Sequence, residues 1–577
     1  MNTDQILIIL ILAGAMMAFA FNRWRTEVVA ATALAAAVLT GRVDFGDVFA
    51  GYSDPAVITV IEILMLTQLL EKSGLIDRLS GPVLARIASE QQLVLFVTAA
   101  GAALSVFMNN IGALAIMLPV VYAGCRRLGV APRAVLMALS FATLLGGMCS
   151  LIGTPANLVV SGARSESLGA PMPFFAFAIA GIPATLAGLA WLAFAGWRQR
   201  ADAAGSSDHG AHEDPAEDVL FEFAVRRTPG WIGKSLDEVE QFASVQILHV
   251  LRNDQFVFAR RDKIRFEPGD IAVLCAPNSV FAHLAGLAGG GGDDPKGSQA
   301  SFEAVVTPSS ILLGSTVGSV AMLDGHDIRI VGLRGAHIRA DGRFADVTIS
   351  VGDVLILTGD HQAVARVLED AGCLMLAARQ EPVPGRITPF AALALAAGII
   401  LAATQIASPE IAFALSLLAV AVAGQASLSD LLRRLDWRVV LMLASLIPLA
   451  HAFERSGAAA QIAMPIIFVA QGSDLALVAA VWGVTTLITP FLNNVATAAI
   501  MAPIALAAGA AAGASPDMLL LAVAAGASTD FLTPFGHHNN TVVMGAGGYE
   551  LRDFLRQGAP LTLITGVVTI VSLILFF

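Results

Sequence analysis

Four blocks of sequence occur twice in this chain at a nearly constant separation. LEKSG at Leu70–Gly74 returns as FERSG at Phe453–Gly457, and MNNIGALAIMLPV at Met108–Val120 as LNNVATAAIMAPI at Leu492–Ile504. VAP at Val130–Pro132 returns as ASP at Ala514–Pro516, and GTPANLVVSG at Gly153–Gly162 as GHHNNTVVMG at Gly536–Gly545. The offset is 383 from Glu71 to Glu454 and from Asn157 to Asn540, and 384 from Asn110 to Asn494 and from Pro119 to Pro503. A duplicated unit must therefore build similar local structure twice.

Both copies are apolar. Apolar runs fill 4–200 and 387–577, while 201–386 alternates short β-branched segments with charged turns. The chain is 56% hydrophobic and 14% charged, with mean hydropathy +0.74. Soluble domains carry roughly 25% charged residues, so a wholly soluble enzyme and a disordered scaffold are both excluded. The net charge of -11 offers no basic surface for nucleic acid. Cys125, Cys149, Cys275 and Cys373 are scattered, with neither metal-ligand spacing nor a disulfide framework. No Lys or Arg precedes the first apolar run, so Ile6–Phe21 reads as a retained membrane helix and not a cleaved signal.

A membrane crossing needs roughly 20 apolar residues. On that measure repeat one, 1–200, has crossings near 4–21, 27–41, 55–71, 133–163 and 172–197, with a re-entrant hairpin at 92–124. Repeat two, 387–577, has crossings near 388–404, 409–424, 438–452, 516–546 and 560–577, with a hairpin at 475–512. Five crossings is an odd number, so the two halves should point in opposite directions. Cytoplasmic loops carry the Lys/Arg excess. With the N-terminus outside, Arg23, Arg25, Arg126, Arg127, Arg133, Arg198, Arg200, Arg433, Arg434, Arg552 and Arg556 fall inside, against Arg42, Arg164 and Arg455 outside. The soluble insert then lies in the cytoplasm. An inverted repeat with matching breaks is the sequence pointer to a secondary transporter.

The breaks carry the chemistry. Asn109-Asn110 and Asn493-Asn494 interrupt apolar runs, where amides must find partners in protein or in a wet cavity. At a hairpin tip, the second arm would aim its free N–H groups and positive dipole end at a midplane site, which suits an anion. The Asn carbonyls would suit sodium. Paired Asn can also simply bond helices together, but recurrence in both halves favours a site. Gly153-Thr154-Pro155-Ala156-Asn157 and Thr533-Pro534-Phe535-Gly536-His537-His538-Asn539-Asn540 break the following crossings, and carbonyls freed there could coordinate a cation. The competing reading of each is a plain kink. His537 and His538 could titrate near neutrality or bond the substrate, or could line a polar cavity. Glu62 and Asp530 are acidic residues within apolar segments and candidate coupling groups.

These motifs resemble the divalent anion:sodium symporter family of the ion transporter superfamily, across both membrane halves. In that family each hairpin tip carries Ser-Asn-Thr, with nine residues from the Asn to a Pro. Asn110 to Pro119 and Asn494 to Pro503 keep this spacing, so the resemblance makes both Asn residues sodium and substrate contacts. Asn109 and Asn493 stand where the family has Ser, and Ile111 and Val495 where it has Thr. The lost Thr hydroxyls place a smaller oxyanion such as sulfate beside a dicarboxylate as the expected substrate. The stretch from Thr533 through Gly547-Gly548-Tyr549 to Gly558-Ala559-Pro560-Leu561 is similar to the family's C-terminal pattern. The expected substrate contacts are Asn109, Asn110, Ile111, Thr154, Pro155, Asn493, Asn494, Val495, Thr533, Pro534, His537 and His538. The expected sodium contacts are Asn110, Gly153, Asn157, Asn494, Gly536 and Asn540.

The insert resembles two TrkA-C modules, at 218–288 and 300–380. Gly233-Lys234-Ser235-Leu236, VQILHVLR, Phe266-Glu267-Pro268-Gly269-Asp270 and IAVLCAP make the first. Gly314-Ser315-Thr316-Val317, IRIVGLRG, Val351-Gly352-Asp353 and VLILTGD make the second. Gly289–Gly292 read as a flexible joint. Such modules in relatives dimerise and bind small ligands, including cyclic dinucleotides. No phosphate-binding glycine loop follows a strand. The combined expectation is an α-helical polytopic inner-membrane protein with two small cytosolic α/β modules. It would be a homodimer among lipids, would use no cofactor beyond sodium, and would import a small anion by sodium symport. A cation/proton antiporter of the same superfamily is the alternative, with Glu62 and Asp530 carrying the load. A channel fits poorly with inverted hairpins, and an enzyme lacks a nucleophile–base or metal constellation.

Overall fold

The computed structural model describes residues 2–577 apart from 22–23, 73–74, 196–217, 226–229, 254, 278–279, 282, 285–300, 308–309, 321–327, 336–341, 379–389 and 434. The Gly289–Gly292 joint, Arg23, Arg198, Arg200 and Arg434, and the boundaries near 200, 288, 300, 380 and 387 lie outside the described residues. The chain divides into two compact units, a helical one from 1–201, 384–540 and 551–577, and one from 202–383 and 541–550.

In the helical unit the first half contains α1 (Thr3–Phe21), α2 (Thr26–Leu39), α3 (Pro55–Lys72), α4 (Leu75–Leu84), α5 (Glu90–Phe107), α6 (Asn110–Leu128), α7 (Arg133–Gly147), α8 (Pro155–Leu168) and α9 (Ala178–Ala190). The insert adds β1 (Asp218–Ala224), α10 (Leu236–Ala243), β2 (Gln246–Arg252), β3 (Gln255–Phe256), β4 (Ile271–Pro277), β5 (Ser301–Val306), β6 (Arg329–Arg334), β7 (Val354–Thr358), α11 (His361–Asp370) and β8 (Cys373–Ala378). The second half contains α12 (Phe390–Ala403), α13 (Pro409–Val422), α14 (Leu428–Arg433), α15 (Trp437–Arg455), α16 (Ala458–Ala470), α17 (Asp474–Ile488), α18 (Asn494–Ala512), α19 (Pro516–Ser528), α20 (His538–Gly547) and α21 (Leu551–Phe576). Leaving α14 aside, the helices of the two halves correspond in order. Among the described residues, 7 helices are long and apolar enough to cross a membrane, and shorter apolar helices flank them.

Two helices, α4 and α16, fall where the sequence reading placed none. They span 10 and 13 residues and each contains a proline, Pro82 or Pro465. At 1.5 Å per residue neither can cross a bilayer, so a search for long apolar runs passes over both. The last crossing is also longer than expected, beginning at Leu551 and running 26 residues.

The predicted breaks are real interruptions. The stretch 133–163 is two helices, α7 and α8, separated at 148–154, and 516–546 is α19 and α20, separated at 529–537. Pro155 sits in the first turn of α8, where its missing N–H costs nothing. Phe141 on α7 meets Phe531 edge-on at 5.3 Å between ring centres, and Phe554 at 6.1 Å. These contacts pack the α7 helix of one half on the break and on α21 of the other.

In the second unit the strands form one antiparallel sheet in the order β3-β2-β4-β1-β6-β7-β5-β8. The two motif-bearing stretches each keep their four strands together. They join where β1 pairs with β6 at Leu220 and Leu333. Ser235 caps α10 in a reciprocal bond with Glu238. Gly269 and Gly352, before the two buried strands, both have positive φ, at 99° and 84°, the turn geometry that glycine adopts freely.

Candidate substrate and ion site at the helix breaks

Both predicted tips open a helix. Asn109 is the N-cap of α6, its side chain accepting from Ile111 N at 3.3 Å. Asn493 is the N-cap of α18, accepting from Ala496 N at 2.8 Å. Each cap satisfies one otherwise orphaned first-turn donor. The Ile111 amide, expected to face substrate, is thus used by Asn109, whereas at tip two the cap bond falls one residue beyond Val495. Asn493 also lies 3.1 Å from Met442 Sδ through its amide nitrogen.

Asn110 is buried in a tight polar cluster. A Cβ on Gly147 would overlap its side chain, so only glycine there leaves it room. With its amide nitrogen turned inward, Asn110 donates to Ser105 Oγ at 2.7 Å, Thr143 O at 3.1 Å and Gly153 O at 3.2 Å. The other end of the amide lies 3.4 Å from His537 Nε2. His537 Nδ1 accepts from Asn539 N at 3.1 Å, so the ring proton of the neutral imidazole sits on Nε2. A donor at Nε2 needs an oxygen opposite it, which fixes the same amide orientation. Asn539 completes the cluster, donating to Asn110 O at 2.9 Å and Thr143 Oγ1 at 2.8 Å. The tip of half one is therefore bonded to the broken helix of half two.

Asn494 occupies the related place in half two. Its Oδ1 accepts from Thr489 Oγ1 at 3.3 Å, and Thr489 Oγ1 also reaches Ala527 O at 2.9 Å. Its amide nitrogen is buried with no hydrogen-bond partner among the described residues. Thr497 Oγ1 is in the same condition.

The breaks are held by a repeated device. Asn157 Nδ2 donates to Gly147 O at 3.1 Å and Ser150 O at 2.7 Å. Asn540 Nδ2 donates to Asp530 O at 2.7 Å and Thr533 O at 3.1 Å. All three positions are related by the offset of 383. A broken helix strands carbonyls without an i+4 donor, and one Asn amide satisfies two of them. Each such carbonyl retains a second lone pair. Asn157 Oδ1 is buried without a partner among the described residues, whereas Asn540 Oδ1 accepts from Ser140 Oγ at 2.7 Å. Gly153 packs so closely that a Cβ would meet Gly147 O at 2.6 Å and Ser105 O at 2.9 Å. Thr154 is buried beside Pro155 at the start of α8, and Pro534 is buried in the second break. Thr533 Oγ1 lacks a partner among the described residues, and His538 is exposed.

The structure thus brings Asn110, Gly153 and His537 together. It places Asn494 in a second cluster, and leaves Asn109 and Asn493 as caps and His538 at the surface. Ser105, Ser140, Thr143, Thr489 and Asn539 were not singled out from sequence as contacts. Ser105 and Thr489 had a signal, since each lies five residues before its Asn in corresponding arms.

A citrate transporter family profile matches residues 16–470, and a profile for the sodium:sulfate symporter transmembrane region matches 429–577. The chain is 25% identical to an uncharacterized transporter of Escherichia coli strain K12, covering 100% of both chains. It is 26% identical to an uncharacterized transporter of Synechocystis, covering 92% of this chain and 90% of the other. It is also 26% identical to sodium/sulfate cotransporter 1 of Chlamydomonas reinhardtii, over 53% of this chain and 38% of that one. With apolar helices on either side of the insert and a matched break in each half, the chain is a multi-pass membrane transporter and not an enzyme, and it belongs to the citrate transporter family.

Proposed function

We propose that this protein is a sodium-coupled symporter of a small divalent oxyanion, with sulfate the leading substrate and dicarboxylates the neighbouring class. It would work by alternating access between two oppositely oriented repeats in the inner membrane. The carrying observation is the cluster in which Asn110 at the tip of α6 bonds to the break that holds His537 and Asn539. Helix N-termini supply anion-binding donors there without a basic side chain, and the carbonyls of the breaks supply hard oxygen ligands. The names of the sodium:sulfate profile and the algal cotransporter support the choice of ions. The insert would lie in the cytoplasm as TrkA-C-like regulatory modules, open to a small ligand, and would support a homodimer.

The test is uptake of labelled sulfate, thiosulfate, dicarboxylates and citrate into proteoliposomes, with and without a sodium gradient. Sulfate uptake should fall to background when choline replaces sodium. A second reading, a cation/proton antiporter, is favoured by two buried carboxylates, Glu62 and Asp530, each with oxygen unpartnered among the described residues. Proton-linked sodium flux that ignores the anion would select that reading.

A further inference from the structure

The two breaks share their bonds but not their charge. Position 147 in half one is glycine, and position 530, which follows it by 383 residues, is aspartate. In half one the space beside Gly147 is taken by the neutral amide of Asn110. In half two a carboxylate enters the protein at that point.

Asp530 is 0% exposed, and both of its carboxylate oxygens lack a hydrogen-bond partner among the described residues. Its main-chain oxygen is fixed by Asn540, and its side chain lies so close to Gly536 that any Cβ there would overlap the carboxylate. Thr533 Oγ1, three residues on in the same break, is another buried oxygen without a partner among the described residues. His537 does not act as the counter-charge, because its Nδ1 accepts a hydrogen bond and the ring is neutral. A carboxylate in such a place must either hold a proton or meet a positive partner, and oxygen donors grouped beside it suit a hard cation. Among the described residues no three His, Cys, Asp or Glu side chains gather as a metal site, so a single carboxylate matches a single positive charge.

We propose that Asp530 is the anionic ligand of a monovalent-cation site in the second break, completed by Thr533 and by main-chain oxygens of the same segment. This deepens the sodium-symport reading and rests on it. The site in half two balances its own cation, whereas the one in half one, built on the neutral Asn157 carbonyl, does not. Sodium therefore loads half two first and without the anion, and the second cation and the oxyanion load together.

The test compares the full chain with Asp530→Asn and Asp530→Ser, in detergent for thermal unfolding against sodium chloride or choline chloride, and in proteoliposomes for uptake. Wild type should be stabilised by sodium alone, with no anion substrate present. Both variants should lose that response and should unfold no lower than wild type in choline, because an unpaired buried charge has been removed. The sodium concentration for half-maximal uptake should rise at least about tenfold, with a lower Hill coefficient. A wild-type sodium response in either variant would overturn the site. So would variants that are less stable than wild type in choline, or stabilisation of wild type by acid and not by sodium. If wild-type uptake ignores sodium while the stabilisation is present and is lost in the variants, the site stands and the symport reading falls.

Discussion

The two halves of the membrane unit use the same main-chain bonds and put different side chains inside them. Asn157 and Asn540 each tie the carbonyls seven and ten residues before them. Ser105 and Thr489 each sit five residues before a tip Asn and bond it. Yet Asn110 is saturated by three acceptors and faces His537, while the Asn494 amide nitrogen has no partner among the described residues. The insert repeats the pattern. Asp270 and Asp353 accept the same turn bond, from Glu267 N and Ser350 N, both at 2.8 Å. Arg252 at the end of β2 grips Asp270 through two nitrogens, while Arg334 at the end of β6 turns to Glu303. In both units the matched stretches share main-chain bonds, and their polar and charged contents differ.

The largest effect should come from the shared device. Asn157→Ala or Asn540→Ala strands two buried carbonyls, at about 1–3 kcal/mol each, so each variant should lose about 2–6 kcal/mol of stability. Asn540→Ala also abandons the Ser140 hydroxyl and should cost about 1 kcal/mol more. Thermal unfolding of the purified full chain measures both. A negligible loss in either half would break the equivalence of the two breaks.

In the insert, Asp353 should make stability depend on pH. Burial pushes the Asp353 carboxyl from 3.8 up to about 7, against the lowering effect of the Ser350 bond. Native protein then holds the proton more tightly than unfolded chain. The resulting stabilisation is complete below about pH 4 and disappears as pH rises through about 7, a loss on the order of 4 kcal/mol. Hydrogen exchange of β7 amides should quicken over that window. Asp353→Asn should flatten the dependence. An unchanged pH profile in that variant would remove Asp353 as its source.

The tips should differ in transport. Asn110→Ala deletes three hydrogen bonds and the His537 contact, and a loss of about 3 kcal/mol corresponds to about a hundredfold slower uptake. Asn494→Ala deletes one weak bond, which sets its loss nearer about tenfold. Surface expression must match wild type in both. Equal losses would mean that Asn494 gains partners in another state of the cycle.

The tip asparagines, the glycine-proline breaks and the soluble insert were legible because each departs from an apolar background at positions the repeat marks twice. Corresponding offsets could also have shown Ser105 and Thr489. Asn539 could not be ranked from sequence, because its partners Asn110 and Thr143 come from the other half and only folding brings them near. The short helices α4 and α16 escaped for a different reason. Their length falls below what a bilayer crossing demands, so a search for spans of roughly 20 residues passes over them even though α16 is apolar. Asp530 was visible as an acidic residue in an apolar run, but its meaning depends on the lack of donors around it, which no local pattern encodes.

The smallest effect should follow from removing the insert. The repeat runs through the membrane halves alone, and Asn110, Asn157, Asn494, Asn540 and their bonding partners all belong to the helical unit. A flexible linker in place of 205–383 should therefore leave the substrate affinity within about twofold of the full chain, because a regulatory unit shifts a carrier only by its differential affinity for the carrier's states. Maximal rate or dimerisation is free to change. Uptake kinetics on the linker variant, with membrane delivery confirmed, separate the two quantities. A changed order of preference among sulfate, thiosulfate and dicarboxylates would show that the insert shapes the pathway. The proposed division into carrier and regulator would then fall.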